Sequence, residues 1–304
     1  MTGAAPSPGA HWGSQALWQH LEPLLPGLSV EVVARSDSTN TALIERVRRS
    51  GGQRDAPISR PGEFDAGCTE RTPLGPRADD VQPCLLVAEH QTRGRGRLGR
   101  TWQSERGAAL TFSLLLPFAP ADWSGLSLAV GVALAAALDP ARDDTPPRIG
   151  LKWPNDLWLI DGDGSGRKLG GVLIETLPLG GRRMCVVGVG LNVLPQQLDE
   201  LSSGYACLQE LAPDTSAPHA LAAVAEPLVR ALLRFERDGF PAFETAYARR
   251  DVLLRQMVTT TLPAVPQGVA DGVDASGALR VRSDGGLHLL VGGEVSVRTQ
   301  VSPC

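Results

Sequence analysis

Residues 149–193 run IGLKWPNDLWLIDGDGSGRKLGGVLIETLPLGGRRMCVVGVGLNV. Three apolar, β-branched stretches stand out in it: Leu157 to Ile160, Leu169 to Thr176 and Met184 to Val193. Gly162, Gly164 and Gly166 form the first joint and Gly180-Gly181 the second. Joints this short connect antiparallel neighbours, whereas parallel strands need a long crossover. The segment therefore predicts an antiparallel meander, with Ile149 to Asp156 leading into it.

Outward from the meander the chain alternates strands and helices. Upstream, Ser124 to Leu138 reads as a helix ending at Asp139-Pro140, and Cys84 to Ala88 and Ala108 to Leu116 read as buried strands. Residues 14–28 predict a short helix and Val30 to Ala34 a strand. Ser36-Asp37-Ser38-Thr39-Asn40 is a cluster of helix-capping residues, and the stretch with Leu43, Ile44 and Val47 continues it as far as Gly51-Gly52. Residues 51–83, rich in Pro, Gly, Arg and Asp without periodicity, predict a long mobile insertion. Downstream, His219 to about Leu254 is helical apart from Gly239-Phe240-Pro241. Beyond Met257, short strands broken by Gly and Asp predict a small β-barrel. The expectation is an α+β chain with one large domain, residues 1–256, and a small one, residues 257–304.

A chain of 304 residues with 42% hydrophobic content has ample material for a core. Its net charge of −4 offers no broad basic surface, so nucleic acid is not the expected partner. Cys68, Cys84, Cys185, Cys207 and Cys304 are scattered and nowhere spaced as Cys-x-x-Cys, which argues against a disulfide framework or a zinc site. No export signal or membrane span is evident, and a reducing cytoplasm is the expected setting.

Of the 29 Lys and Arg residues only Lys152 and Lys168 are lysine, and Asn40, Asn155 and Asn192 are the only asparagines. All five fall in polar, glycine-rich segments. Lysine is a compact point charge and asparagine offers donor and acceptor together, so these positions read as chemical.

Gln91-Thr92-Arg93-Gly94-Arg95-Gly96-Arg97-Leu98-Gly99-Arg100-Thr101-Trp102 alternates glycine with arginine directly after a strand. Glycine lets the backbone approach a ligand, and guanidinium groups match phosphate oxygens in a forked geometry. A mobile anion clamp fits, as does a solvated basic loop or an RNA-touching Arg/Gly segment. In Lys152-Trp153-Pro154-Asn155-Asp156 a lysine could balance a carboxylate and a phosphate together; a surface turn is the plainer reading. Ser38-Thr39-Asn40 sits at a helix start, where such clusters serve as caps or accept a polar ligand. Lys168-Leu169-Gly170-Gly171 and Gly188-Val189-Gly190-Leu191-Asn192 place paired glycines in strands, as bulges or to open the sheet for a flat ligand.

In this order, Ser-Thr-Asn, Gln-x-x-Gly-Arg-Gly-Arg-x-Gly-Arg-x-Trp, Lys-Trp-Pro-Asn-Asp, Lys-Leu-x-Gly and Gly-x-Gly-x-Asn resemble the biotin protein ligases. The resemblance covers nearly the whole chain, and the joint pattern is far more specific than any member. It implies a catalytic domain like that of class II aminoacyl-tRNA synthetases, with a mixed or antiparallel sheet and flanking helices, and an SH3-like C-terminal barrel. It also implies ATP and Mg2+ as requirements, with biotin as substrate and biotinyl-5′-AMP as intermediate. The acceptor implied is a lysine in the biotin carboxyl carrier domain of an acyl-CoA carboxylase, and the enzyme is expected as monomer or homodimer.

Residue by residue, the resemblance implies a biotin pocket of Ser38, Thr39, Asn40, Gln91, Arg95, Gly96, Arg97, Lys152, Gly170, Gly171, Gly188 and Gly190. Lys152, Arg95 and Arg97 would be catalytic, and Arg100, Trp102, Asn155, Lys168 and Asn192 would bind the nucleotide. Metal ligands are not assigned. Regulatory members carry a winged-helix domain ahead of Ser-Thr-Asn; only 37 residues precede Ser38, so no repressor activity and no DNA partner are expected. The nearest rival, a lipoate or octanoate transferase, shares the fold and a pocket lysine but is not expected to carry Gly-Arg-Gly-Arg-x-Gly-Arg. A biotin-binding regulator without catalysis is the rival from another class, and the intact Lys152 and Arg97 weigh against it.

Overall fold

Leu43, Ile44 and Val47 recur at helical spacing, and in the computed structural model they lie on one buried face of a helix, Thr39–Gly52. The structure describes residues 12–52, 72–74, 81–140, 145–196, 203–291 and 297–299. Cα packing divides the chain into two compact units, the described parts of Met1–Ala119, Leu173–Asp199 and Cys207–Val229, and those of Pro120–Val172, Glu200–Ala206 and Arg230–Cys304.

The first unit begins with helix α1, Ser14–Leu21, and strand β1, Ser29–Val33. The helix is shorter than the sequence predicts because Pro23 has no N–H to continue the hydrogen-bond ladder, although Glu22 before it still has helical backbone. Helix α2 is the Thr39–Gly52 element. Strands β2 (Thr72–Leu74), β3 (Cys84–Ala88), β6 (Ala109–Pro117) and β10 (Arg182–Asn192) join β1 in the order β2-β1-β3-β6-β10. β1 and β3 are parallel and the other pairs antiparallel, so the sheet is mixed. Most of the expected 51–83 insertion lies outside the described residues, but Thr72–Leu74 pairs as a strand with β1. Under α2, Leu43, Ile44 and Val47 pack with Leu86, Leu115, Met184 and Val186. Each such side chain contributes roughly 1.5–3 kcal/mol when fully buried.

Between β3 and β6 lie two very short strands, β4 (Gly94–Arg95) and β5 (Thr101–Trp102), joined through a 3-10 turn at Arg97–Gly99. They pair antiparallel, Gly94 with Trp102 and Arg95 with Thr101. The Arg/Gly segment is thus a small hairpin.

Strand β9, Gly166–Leu179, runs from the second unit into the first. In the second unit it pairs with β8 (Asp156–Ile160), which pairs with β7 (Ile149–Lys152). The meander therefore has one more strand than the sequence predicts, since four residues containing a glycine give little apolar signal. Helix α3, Leu126–Leu138, is apolar on all sides and mostly buried. Helix α4, Ala217–Asp238, begins in the first unit and ends here, followed by the short α5, Glu244–Ala248. The predicted helix to Leu254 stops early because Arg250–Val252 runs beside β7: Leu151 N–H donates to Arg250 O at 2.6 Å and Val252 N–H to Leu151 O at 3.1 Å. Arg250, buried, donates to Ile149 O at 2.8 Å and pairs with Asp139 at 3.1 Å.

Five antiparallel strands close the chain: β11 (Met257–Thr260), β12 (Gln267–Val273), β13 (Leu279–Ser283), β14 (Gly286–Leu290) and β15 (Val297–Thr299). Their order is β14-β13-β12-β11-β15. β14 was not expected; of the strand expected from Gly292 to Val297, Val297 begins β15 and the rest lies outside the described residues. No helix among the described residues is long and apolar enough to cross a membrane.

Candidate active site

Ser38, Thr39 and Asn40 are all buried at the N-terminus of α2. Ser38 Oγ accepts from Thr41 N–H at 3.4 Å, a capping contact. Gln91 Oε1 takes the Thr39 N–H at 2.7 Å, so the two segments hold each other. Ser113, buried in the middle of β6, has its hydroxyl 2.6 Å from both Thr39 Oγ1 and Asn40 Oδ1. A hydroxyl has one proton, and Asn40 Oδ1 needs it, so the Thr39 hydroxyl supplies the other contact. Asn40 Nδ2 in turn donates to Leu173 O at 3.2 Å and to Glu175 Oε2 at 2.9 Å. A continuous polar chain thus runs from the helix start across the sheet to Glu175.

The glycines of β10 make room for it. A Cβ at Gly188 would fall 2.1 Å from Asn40 Oδ1, and one at Gly190 would fall 2.8 Å from the Trp102 indole. Close approach, rather than flexibility, is what these two positions require. Trp102 lies on Gly190 with a buried Nε1–H that has no hydrogen-bond partner among the described residues. Buried N–H groups are almost always paired, so this one suits an acceptor on a ligand. Asn192 is buried at the end of β10, opposite Ala109.

The hairpin is pinned at its root. Thr92 Oγ1 donates to Asp37 Oδ1 and Arg93 Nη2 to Asp37 Oδ2, both at 2.5 Å. Those bonds, Thr92 first, hold the Asp37 carboxyl below the usual carboxylate range. Backbone bonds repeat the contact, from Thr92 N–H to Ser36 O and from Arg93 N–H to Asp37 O. Arg95 leaves the hairpin toward β9, where it meets Glu175 at 3.0 Å. At the turn, Gly96 N–H donates to Arg100 O at 2.7 Å, and Arg97 is half-buried while Arg100 is exposed. The first unit thereby brings together Ser38, Thr39, Asn40, Gln91, Arg95, Gly96, Arg97, Arg100, Trp102, Gly188, Gly190 and Asn192 of the expected residues.

Lys152, Asn155, Lys168, Gly170 and Gly171 belong to the second unit. Lys152 ends β7 with its Nζ 4.3 Å from the centre of the Trp158 ring. Lys168 Nζ bonds Asp156 Oδ1 at 2.8 Å, and a Cβ at Gly171 would sit 3.2 Å from that same oxygen. Asn155 Nδ2 donates to Val172 O at 2.8 Å while Val172 N–H returns to Asn155 O at 2.9 Å, which fastens the motif to β9. Gly170 faces Leu157 across β8 and β9. Trp153 Nε1–H donates to Gly277 O at 3.0 Å, and the Trp153–Pro154 peptide is cis.

Sequence reasoning missed Ser113, Glu175 and Trp158. Ser113 had a signal, a lone hydroxyl inside an apolar strand; Glu175 and Trp158 occupy ordinary half-exposed strand positions.

Known proteins resemble this chain along most of its length. The profile of the Biotin/lipoate A/B protein ligase family matches residues 79–192, and that of the Biotin protein ligase C terminal domain matches residues 256–298. The bifunctional ligase/repressor BirA of Escherichia coli is 31% identical over 281 residues, covering 90% of this chain and 76% of that protein. The biotin–[acetyl-CoA-carboxylase] ligase of Mycobacterium tuberculosis is 30% identical over 248 residues, covering 78% of this chain and 86% of that protein. Among solved structures, a biotin protein ligase from Aquifex aeolicus in complex with biotin and ATP aligns with a TM-score of 0.64 at 25% identity, over 89% of this chain and 99% of that one. Sequence relatives spanning most of both chains, and a fold shared along their length, place this chain in the biotin protein ligase family.

Proposed function

We propose that the chain activates biotin with ATP and passes it to a lysine of a biotin carboxyl carrier domain, that of an acyl-CoA carboxylase. A biotin carboxylate oxygen attacks the α-phosphorus, pyrophosphate leaves, and biotinyl-5′-AMP forms. The acceptor amine then attacks the acyl carbon, losing a proton as AMP departs. The observation that carries this reading is the polar chain Thr39–Ser113–Asn40–Glu175 beside Gln91, under a glycine-cleared strand and next to an Arg/Gly hairpin. Its neutral donors and acceptors suit a ureido head group, and the arginines suit a carboxylate and phosphates.

In the proposed assignment Ser38, Thr39, Asn40, Gln91, Gly96, Gly170, Gly171, Gly188 and Gly190 shape the biotin site. Lys152 balances charge on the α-phosphate as the carboxylate attacks, with Arg95 and Arg97 on the hairpin. Trp102, with its unpartnered buried N–H, Arg100, Asn155, Lys168 and Asn192 serve the nucleotide. Among the described residues no three His, Cys, Asp or Glu side chains gather into a metal site. Magnesium would be supplied together with ATP, where it would offset phosphate charge. The catalytic part, residues 1–256, is read as class II synthetase-like and residues 257–304 as SH3-like. The cytoplasm is the proposed setting, in keeping with Cys84, Cys185 and Cys207 being free and buried. A repressor role is not part of the proposal.

The test is ATP/pyrophosphate exchange with biotin, lipoate and octanoate in parallel, followed by label transfer to a biotin carrier domain. Exchange with biotin alone and labelling of one carrier lysine is expected. Exchange driven by lipoate or octanoate instead would overturn it.

A further inference from the structure

A row of hydroxyls and amides takes a fixed direction wherever one end of it can only accept. The polar chain that ends on Glu175 has such an end. Leu173 O and the Glu175 carboxylate both face Asn40 Nδ2, at 3.2 and 2.9 Å, so the other arm of that amide, Oδ1, is the acceptor toward Ser113. Ser113, fully buried on β6, therefore gives its single proton to Asn40 Oδ1 at 2.6 Å. Thr39 Oγ1, also 2.6 Å from Ser113 Oγ, supplies the proton of that second contact, since two oxygens so close repel without one. With its proton held there, Thr39 Oγ1 has none for Gln91 Oε1 at 3.2 Å, which is served instead by the Thr39 N–H at 2.7 Å. Once Ser113 points to Asn40, no described N–H or O–H donates to Thr39 Oγ1, although Thr39 is buried. Buried acceptors are as a rule paired.

We propose that Ser113 is a specificity-determining positioning residue: it fixes the Thr39 hydroxyl as an acceptor, and so selects a ligand that brings an N–H to Thr39 over one that brings a second acceptor. Ser113 acts through Thr39 and touches no ligand itself. Gln91 strengthens the selection. Its oxygen is turned to the Thr39 N–H, so its Nε2 arm is left as a donor, beside Gly94, where a Cβ would stand 3.2 Å from it. An acceptor next to a donor matches an N–H next to a carbonyl, the edge of a cyclic urea. That the ligand is biotin rests on the biotin-activating reading; the direction of the hydroxyl chain does not. Under that reading, discrimination at the head group comes from a strand residue that sits behind the pocket, because a wrong ligand leaves two acceptors facing each other in a buried place.

The test compares the full chain with Ser113→Ala. The probes are biotin and the two cyclic carbamates in which one or the other ureido N–H is replaced by a ring oxygen, with binding read by isothermal titration. The wild type should bind one of these carbamates about thirtyfold more weakly than biotin, the effect of one buried unmade hydrogen bond. Ser113→Ala frees the Thr39 proton to turn to Gln91 Oε1 or to the ligand, so the ratio should shrink to about threefold. A purely structural loss would weaken biotin and the carbamates alike and leave the ratio in place. Ser113→Thr keeps the hydroxyl and should keep most of the discrimination. A ratio in Ser113→Ala within about twofold of the wild-type ratio overturns the proposal, as does a wild type that binds both carbamates as tightly as biotin. A ligand-free arm tests the hydroxyl chain by itself. Thr39→Val and Ser113→Ala together should lower the melting temperature by less than the sum of their separate effects, because either one breaks the shared bond. Additive shifts overturn the chain. Coupled shifts in a chain whose wild type binds no biotin would leave the hydroxyl chain standing and sink the functional reading.

Discussion

The ammonium of Lys152 lies over the ring of Trp158 on the neighbouring strand, in a register where Gly150 of β7 faces Trp158 on one side and Lys168 of β9 faces it on the other. The arrangement gives the lysine a seat on the ring. A cation over an indole gains about 0.5–2 kcal/mol, enough to orient the group yet little enough to let it turn toward phosphate.

Removing the charge should therefore cost far more than removing the seat. Lys152→Ala is expected to lower biotin-dependent ATP/pyrophosphate exchange by at least about 10³-fold, the scale of losing a preorganised charge. Trp158→Leu should lower kcat by about tenfold with the KM for biotin little changed. Exchange at the wild-type rate in Lys152→Ala would remove the residue from the mechanism.

Gly188→Ala should damage substrate binding before it damages the fold. The added methyl would meet Asn40 Oδ1 at 2.1 Å, and the amide must turn away from Ser113 and Glu175 to accommodate it. A rise of about tenfold or more in the KM for biotin is expected, with a loss of roughly 1–3 kcal/mol in stability from overpacking. Isothermal titration with biotin and thermal melts check both. Unchanged biotin affinity would mean that Asn40 does not serve the pocket.

Asp251 predicts a pH dependence. Burial pushes its carboxyl up to about 6 despite hydrogen bonds from the Leu253 and Leu254 backbone, whereas an unfolded chain would titrate near 3.8. The folded state thus holds the proton more tightly. The contribution is fully present below about pH 3.8, is lost as pH rises through about 6, and is flat beyond. Asp251→Asn keeps an oxygen for Leu253 N–H and cannot ionise. Its stability relative to the wild type should climb between pH 4 and 7 by about 2–3 kcal/mol. Parallel stability curves for the two proteins would show that Asp251 does not titrate in this range.

Scarcity of lysine predicts weak self-labelling. A loosely held acyl-adenylate acylates nearby amines, and this chain offers Lys152 and Lys168 as its only lysines. After long incubation with biotin and ATP, peptide mass spectrometry should find biotin at most on these two and on the N-terminal amine. Abundant biotin elsewhere on the chain would refute it.

Much of the fold is legible in the sequence because its punctuation is strong. Gly180-Gly181 and the Gly162–Gly166 joint mark the meander, and Leu43, Ile44 and Val47 mark the buried helix face. Short elements leave no such trace: β7 is four residues, β4 and β5 are two each, and β2 interrupts a stretch that reads as insertion. Helical periodicity also runs past Ala248, where tertiary pairing of Arg250–Val252 with β7 wins over propensity. In the candidate site, Asn40 and Lys152 announce themselves by rarity. Glu175 does not, because an acid on a strand looks solvent-facing until the helix start that carries Asn40 and the hairpin that carries Arg95 are known to meet it. Asn155 is conspicuous in the sequence, yet its amide also anchors backbone at Val172.

The bond from the Trp153 indole to Gly277 O joins residues 124 positions apart, one beside Lys152 and the other on the turn between β12 and β13. A nonsense or frameshift allele that ends the protein before this turn would remove more than a terminal module. It would leave a buried indole N–H without its acceptor next to the lysine, and the mutant would behave like an active-site lesion although no codon of the site had changed. The same linkage would frustrate attempts to graft a foreign C-terminal sheet onto this enzyme unless the graft supplies a carbonyl at that spot.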